Sequence, residues 1–372
     1  MTLPGDGKQR YNVVELMTKT PAETRILISG NEAAAEAAIR AGCRFYAGYP
    51  ITPQNELIAY MADQLPLRGG VFVQAESELA AISMLHGASA AGMRCMTSSS
   101  SPGISLKQEG ISYLAGSELP AVIINVCRAG PGLGQISPSQ SDYFQSTRGG
   151  GHGDYRTIVL APATVQEMAD FTYEAFDLAD KYRNPVLVLA DGMVGQTMEG
   201  VGFDHLPEPH PPAKPWALTG AAGRPRNLVK SLCGVLADVV KFNEKLMHKY
   251  EQIAQELHRC ETVDCEGAEV LIAAYGTSAR MAHQVVKDPP GALRGKLGMV
   301  RPMILWPFPY EEFASRAGRL RGILTVEMNA GQMIEDVRLG VEGRCPVHLL
   351  PRPGGAVPTA GEIADKLVAL FT

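Results

Sequence analysis

Gln74-Ala75-Glu76-Ser77-Glu78 places two carboxylates directly ahead of an almost wholly apolar run, 79–91. A carboxylate at the edge of an apolar segment is partly desolvated, which raises its proton affinity and suits it to trade a proton with a ligand nitrogen. Acids in a first helical turn are also favoured by the macrodipole, so the pair reads equally as helix-start acids. Thr97-Ser98-Ser99-Ser100-Ser101-Pro102-Gly103 offers hydroxyls and small side chains against which a ligand or another backbone can lie; it also has the composition of a polar turn. In Gly48-Tyr49-Pro50-Ile51-Thr52-Pro53 two prolines stiffen the loop around a threonine hydroxyl. Thr52-Pro53 equally has the form of a helix N-cap followed by proline at the first helical position. Arg128 heads Arg128-Ala129-Gly130-Pro131-Gly132-Leu133-Gly134-Gln135. Its guanidinium can hold a carboxylate through two parallel bonds, or serve as a surface charge.

Each stretch follows a short apolar run, and the first three precede a helical one. The runs are 25–29, 44–47, 71–74, 94–97, 121–127, 157–160 and 185–190, separated by helical patterns near 32–41, 54–65, 78–91, 104–115 and 164–181. Strands alternating with helices give an α/β fold, a parallel sheet between helices. Ala121-Val122-Ile123-Ile124-Asn125-Val126 fits a strand buried on both faces. Ligands of such sheets bind beyond the carboxyl ends of the strands, where these four loops fall. Residues 1–24 are polar and irregular and read as an arm. The first block spans 25–200. Pro207-Glu208-Pro209-His210-Pro211-Pro212 opens an extended connector, and the spacing of Leu228, Leu232, Val235, Val239, Leu246, Tyr250 and Ile253 predicts a long helix over 227–257. A second α/β block spans 268–372.

Composition excludes several classes. Lys+Arg number 34 against 39 Asp+Glu, a net charge of -5, which leaves no basic footprint for nucleic acid. No apolar run approaches the ~20 residues of a membrane span, and Met1–Gly7 lack a charged-then-apolar leader, so a cytoplasmic protein is expected. The seven cysteines include no C-x-x-C pair, so no zinc or iron–sulfur ligand run is expected and no metal site is assigned. The glycines at 130, 132 and 134 begin like a dinucleotide fingerprint, but Gln135 stands where the third glycine belongs and prolines follow. Residues 291–297 resemble a phosphate loop with the wrong glycine spacing and no Ser/Thr.

Taken together, the loops at 48–53, 74–78, 97–103 and 128–134 resemble those of the α subunit of 2-oxoacid:ferredoxin oxidoreductases of the 2-oxoisovalerate (branched-chain) and 2-oxoglutarate types. Ser139-Gln140-Ser141-Asp142-Tyr143-Phe144, Gly149-Gly150-Gly151-His152-Gly153-Asp154, Tyr275-Gly276-Thr277-Ser278-Ala279-Arg280, Trp306-Pro307-Phe308-Pro309 and Val326-Glu327-Met328-Asn329-Ala330-Gly331-Gln332 extend the likeness over about 25–372.

The resemblance implies a pyrimidine-binding domain of the thiamin-diphosphate fold over 25–200 and a transketolase C-terminal-type domain over 268–372. It implies CoA-dependent oxidative decarboxylation of a 2-oxoacid, with electrons passed to ferredoxin. Glu78 matches the glutamate that bonds the aminopyrimidine, with His86 at the matching spacing; Tyr49 and Pro50 would border the cofactor. Thr52 and Arg128 match residues that hold the substrate, and Ser99 and Ser100 would line the same pocket. Pyrophosphate and magnesium would sit on a partner β subunit. Gly5-Asp6-Gly7 with Asn31 imitates the magnesium motif, but no buried strand precedes Gly5. Iron–sulfur clusters would lie only on partner chains, a γ subunit and a ferredoxin-like δ subunit among them. Two other functions fit the same fold: a dehydrogenase subunit acting through lipoamide, and a non-catalytic assembly subunit.

Overall fold

The computed structural model describes residues 24–372; apart from Thr24, the expected arm lies outside the described residues. The first half runs β1 (Arg25–Ser29), α1 (Gly30–Arg40), β2 (Phe45–Gly48), α2 (Asn55–Leu67), β3 (Val71–Gln74), α3 (Glu78–Ala90), β4 (Cys95–Ser99), α4 (Ser101–Gly116), β5 (Ala121–Ala129), β6 (Gln135–Pro138), α5 (Tyr143–Arg148), β7 (Ile158–Leu160), α6 (Val165–Tyr182), β8 (Pro185–Asp191), α7 (Gly192–Gln196) and β9 (Met198–Gly202). The second half runs α8 (Leu236–Glu256), β10 (Cys260–Val263), β11 (Val270–Ala273), α9 (Gly276–Lys287), β12 (Leu297–Pro302), β13 (Ile304–Trp306), α10 (Tyr310–Ala317), β14 (Gly322–Glu327), α11 (Met333–Val341), β15 (Val347–Pro351) and α12 (Ala360–Phe371).

The larger sheet has the order β13-β7-β8-β5-β4-β2-β3, with β6 folded back on β5. From β7 to β3 every pairing is parallel. All nine residues of β5 are buried, as expected of a central strand covered on both faces. The chain goes from β2 outward to β3 and then crosses back to β4 on the other side of β2. Helices α1, α2 and α6 pack on one another, and α3 packs on α4. Reversal of direction between β2 and β4 opens a crevice at their carboxyl ends, the place where open α/β sheets bind ligands. The smaller sheet, β10-β12-β11-β14-β15, has the same kind of reversal between β11 and β14.

Several elements differ from the pattern in the sequence. Strand β1 stays out of the large sheet and pairs antiparallel with β9 alone, because three of its five residues are exposed. Helix α8 starts at Leu236 rather than near 227. Leu228 and Leu232 have helical spacing but are 75% and 79% exposed, and the Asn227 amide bonds the carbonyls of Pro215 and Ala217. A periodic stripe without a surface to bury it does not stabilise a helix. Strands β10 and β13 carry no clear sequence signal, being four and three residues long. The second of these pairs antiparallel with β7 and joins the two halves.

The halves meet chiefly through Gln140, which reaches from the loop after β6 into the crevice of the smaller sheet. Its amide Nε2 donates to the Tyr275 carbonyl at 2.7 Å, and its Oε1 accepts from Ser278 Oγ at 2.9 Å and Met328 N at 3.0 Å. Its backbone bonds Met328 O, Asn329 Nδ2 and the Tyr275 hydroxyl. Asp336 of α11 accepts from Tyr143, Arg148 and Tyr310, and Asp191 at the end of β8 accepts from Thr277. A buried donor or acceptor left unsatisfied costs about 1–3 kcal/mol. Gln140→Ala orphans several such groups at once, so it is expected to lower the thermal midpoint by the equivalent of about 2–4 kcal/mol. An unchanged midpoint in calorimetry would show that the halves are held elsewhere.

Candidate active site

Glu78 is the first residue of α3. Ser77 caps that helix by accepting from Ala80 N, which fixes the direction in which Glu78 leaves the backbone. The Glu78 side chain is buried, whereas Glu76 stands exposed two residues earlier. Its carboxylate makes no hydrogen bond to any described residue. Burying an ionisable group without partners is costly, and the helix N-terminus offsets only part of that cost.

Against this carboxylate lies the start of α4. A Cβ on Gly103 would stand 2.5 Å from Glu78 Oε1 and still closer to Ser99 Oγ, so only glycine leaves room for both. The serine run divides by function. Ser98 is fully engaged: Tyr46 donates to its hydroxyl at 2.6 Å, and it donates to Gln54 Oε1 at 2.6 Å. Ser101 donates to Asp142 at 2.6 Å and accepts from Arg128 N. Ser99 and Ser100, wholly buried between them, keep hydroxyls with no partner. Polar groups buried without partners are uncommon in folded proteins and call for an explanation. Here they lie beside the Glu78 carboxylate, which also has no hydrogen-bond partner among the described residues.

Thr52 and Arg128 are brought together, though not as two free side chains. Arg128 Nη1 donates to the Thr52 carbonyl at 2.9 Å and Nη2 to the Leu133 carbonyl at 2.8 Å, while Nε is buried without a partner. The guanidinium therefore ties the loop after β2 to the loop after β5. Thr52 is not a helix cap: α2 begins at Asn55 after Gln54, and the Thr52 hydroxyl accepts from the Asn55 amide at 3.1 Å. Gln54 and the Asn31 amide, which donates to Pro53 O at 2.8 Å, pin the loop from beneath. Tyr49 and Pro50 sit at its exposed tip. His86 lies two turns along α3, where it pairs with the Ser117 hydroxyl, and burial lowers its proton affinity.

A cavity of about 430 Å³ opens beside Arg128 and is shared by both halves: Ser101, Ser141 and Asp142 line it from one side, Asn329 and Gln332 from the other. Among the described residues no group of three or more His, Cys, Asp or Glu is placed to hold a metal. The cysteines are free thiols, and burial raises Cys43 to about 12. No helix of the described residues is long and apolar enough to cross a membrane.

Sequence reasoning missed Lys107. Its side chain is wholly buried on α4, one turn beyond Gly103, and its ammonium donates to the Ser98 carbonyl at 3.2 Å. The signal was available: Lys107 interrupts the apolar stripe of Ile104 and Ile111, where a charge is out of place.

Known proteins resemble this chain over its whole described length. Residues 36–257 match the family described as pyruvate flavodoxin/ferredoxin oxidoreductase, thiamine diP-binding, and residues 268–363 match the pyruvate:ferredoxin oxidoreductase core domain II. The ketoisovalerate oxidoreductase subunit VorB of Methanothermobacter marburgensis is 48% identical over 92% of this chain and 96% of its own. In the same organism the 2-oxoglutarate synthase subunit KorA is 37% identical over 92% of this chain and 98% of its own. A solved structure of 2-oxoglutarate:ferredoxin oxidoreductase from Magnetococcus marinus, with 2-oxoglutarate, coenzyme A and succinyl-CoA bound, superposes with a TM-score of 0.82 at 26% identity; the match covers 94% of this chain and 66% of that one. A split gene transketolase superposes at 0.58 and 15% identity over 92% of this chain and 98% of that one, a likeness of fold. With both halves matched and near-complete coverage of relatives at up to 48% identity, the chain belongs to the 2-oxoacid:ferredoxin oxidoreductase family, as an α-type enzyme subunit with a thiamin-diphosphate-binding fold.

Proposed function

We propose that this chain presents the aminopyrimidine end of thiamin diphosphate with Glu78 and orients a branched-chain 2-oxoacid for oxidative decarboxylation. The observation that carries this is the buried, partnerless Glu78 carboxylate beside the orphaned hydroxyls of Ser99 and Ser100, at the crevice between β2 and β4. A flat heterocycle with ring nitrogens and an exocyclic amine fits such a lining, because it can satisfy an acceptor and two hydroxyls together. Bound there, the cofactor supplies the electron sink for decarboxylation. Glu78 holds a proton between its own oxygen and the ring nitrogen. Thr52 and Arg128 align the oxoacid, with Arg128 Nε as the unspent donor; Tyr49 and Pro50 border the cofactor from the loop tip. Orientation of this kind removes several kcal/mol from a barrier.

The overall reaction takes a 2-oxoacid and CoA to acyl-CoA, CO₂, one proton and two electrons, the electrons going to ferredoxin. A branched-chain substrate is favoured by the greater likeness to the ketoisovalerate subunit than to the 2-oxoglutarate subunit of one organism. We place pyrophosphate and magnesium on a β subunit, and iron–sulfur clusters on γ and δ subunits, in the cytoplasm. The domain roles follow, with residues 25–200 taking the pyrimidine and 268–372 closing the pocket from behind. Helices α3 and α4 leave Leu79, Met84, Leu106 and Tyr113 exposed around the crevice. Apolar residues all round a helix call for a cover, which the β subunit provides.

The purified complex, assayed with a panel of 2-oxoacids and a viologen dye, is expected to prefer branched-chain substrates; preference for 2-oxoglutarate would overturn that choice. Glu78→Gln in the complex should lower turnover by ~100- to 10,000-fold, while Glu76→Gln stays near wild type because that side chain is in solvent. The reverse pattern would remove Glu78 from the mechanism. Arg128→Ala frees the carbonyls of Thr52 and Leu133 and should raise KM for the oxoacid; an unchanged KM counts against its role. The isolated chain should carry no iron and bind thiamin diphosphate weakly, gaining affinity when it buries more than ~2,000 Å² against its partner. Stoichiometric iron by metal analysis would refute this.

A further inference from the structure

Lys107 has no part in the family reading, yet among the described residues it is the one wholly buried lysine. Its aliphatic stem leaves α4 on the face that carries Gly103, and Gly103 abuts Glu78 and Ser99. Ser98 O is its one hydrogen-bond acceptor, at 3.2 Å. An ammonium has three donors, so this group is held in place with most of its bonding capacity unspent. Burial brings the group down to about 8, opposed by the charge of Glu78, which lies beyond ion-pair distance and favours the protonated amine. It therefore carries its proton at neutral pH. The other ionisable groups around the crevice are engaged elsewhere. Tyr46 on β2 donates to Ser98, and Asp142 accepts from Ser101 and Asn125. Arg128 donates to two carbonyls through Nη1 and Nη2, which leaves only its Nε unpaired.

We propose that Lys107 is a positioning residue for Glu78: its buried ammonium is the counter-charge that holds the Glu78 carboxylate ionised and so sets how readily it shares a proton with the bound ring. This rests on the assignment of Glu78 above. Physically, a buried carboxylate without hydrogen-bond partners needs a nearby opposite charge to stay ionised. A lysine one layer deeper supplies that charge without competing for the ligand's own bonds. Lysine suits the place because it is a point charge on a slender stem, where a planar guanidinium would demand more acceptors.

The test uses the assembled complex carrying Lys107→Gln, which retains a donor for Ser98 O and drops the charge, and Lys107→Met, which drops both. In both variants turnover is expected to fall, and the acidic limb of its pH profile to move up, since losing a positive charge beside an acid favours the protonated form. In a Glu78→Gln background neither substitution should lower turnover further, because the two residues act as one unit. A fall in turnover with an unmoved limb, or with a Lys107→Gln profile like that of wild type, would make Lys107 merely structural. An undiminished loss in the Glu78→Gln background would do the same. If Glu78→Gln itself retains wild-type turnover, it is the assignment of Glu78 that fails. Should Lys107→Met not assemble, Lys107→Gln alone decides.

Discussion

Gln140 fills a place that in an isolated α/β domain would be a ligand site. The smaller sheet reverses direction between β11 and β14, and their carboxyl ends expose backbone groups at Tyr275 and Met328. An open crevice there would bind water or a small molecule. The side chain from the first half satisfies those groups instead, through one donor bond from its Nε2 and two accepted at its Oε1. One sheet's binding crevice is thus consumed in docking, while the other remains for chemistry. The same loop runs on to Ser141 and Asp142, so the docking contact also fixes the wall of the cavity beside Arg128.

Arg128 performs a similar service within the first half. Strand ends that are neighbours in the sheet do not by themselves hold their loops in register. The guanidinium spans from the end of β5 to the Thr52 carbonyl and closes back on Leu133, converting two loops into one rigid rim. Pinning from below by Asn31 and Gln54 leaves the rim little freedom. Preorganisation of that kind is what a positioning role demands, since it removes the cost of ordering loops when substrate arrives.

The floor of the crevice follows the opposite rule. The hydroxyls of Ser99 and Ser100 and the Nε of Arg128 are buried without partners, and the Glu78 carboxylate beside them makes no hydrogen bond among the described residues. Unsatisfied polar atoms cost stability, and at this topological switch point they stand where a ligand could satisfy them. The exposed apolar residues of α3 and α4 fit the cover that the proposed partner chain would provide.

Much of this was legible in the residues themselves. Alternating apolar runs and helical stretches determined the α/β class, since a central strand such as β5, buried along all nine residues, needs cover on both faces. Local chemistry placed the four loops at strand ends, and Glu78 in a first helical turn beside Ser77. Tertiary structure decided what pattern alone left open. Thr52 could have been a cap until the turn was seen to end at Gln54. Of four like serines, only packing separated Ser98 and Ser101, which are bonded, from Ser99 and Ser100, which are not. Leu228 and Leu232 kept helical spacing without helix because no surface met them. Short-range pattern fixes periodicity and caps, which depend on neighbours in the chain. The partner of a buried hydroxyl, or the surface that meets a stripe, depends on residues far away in the chain, and only the folded chain brings those together.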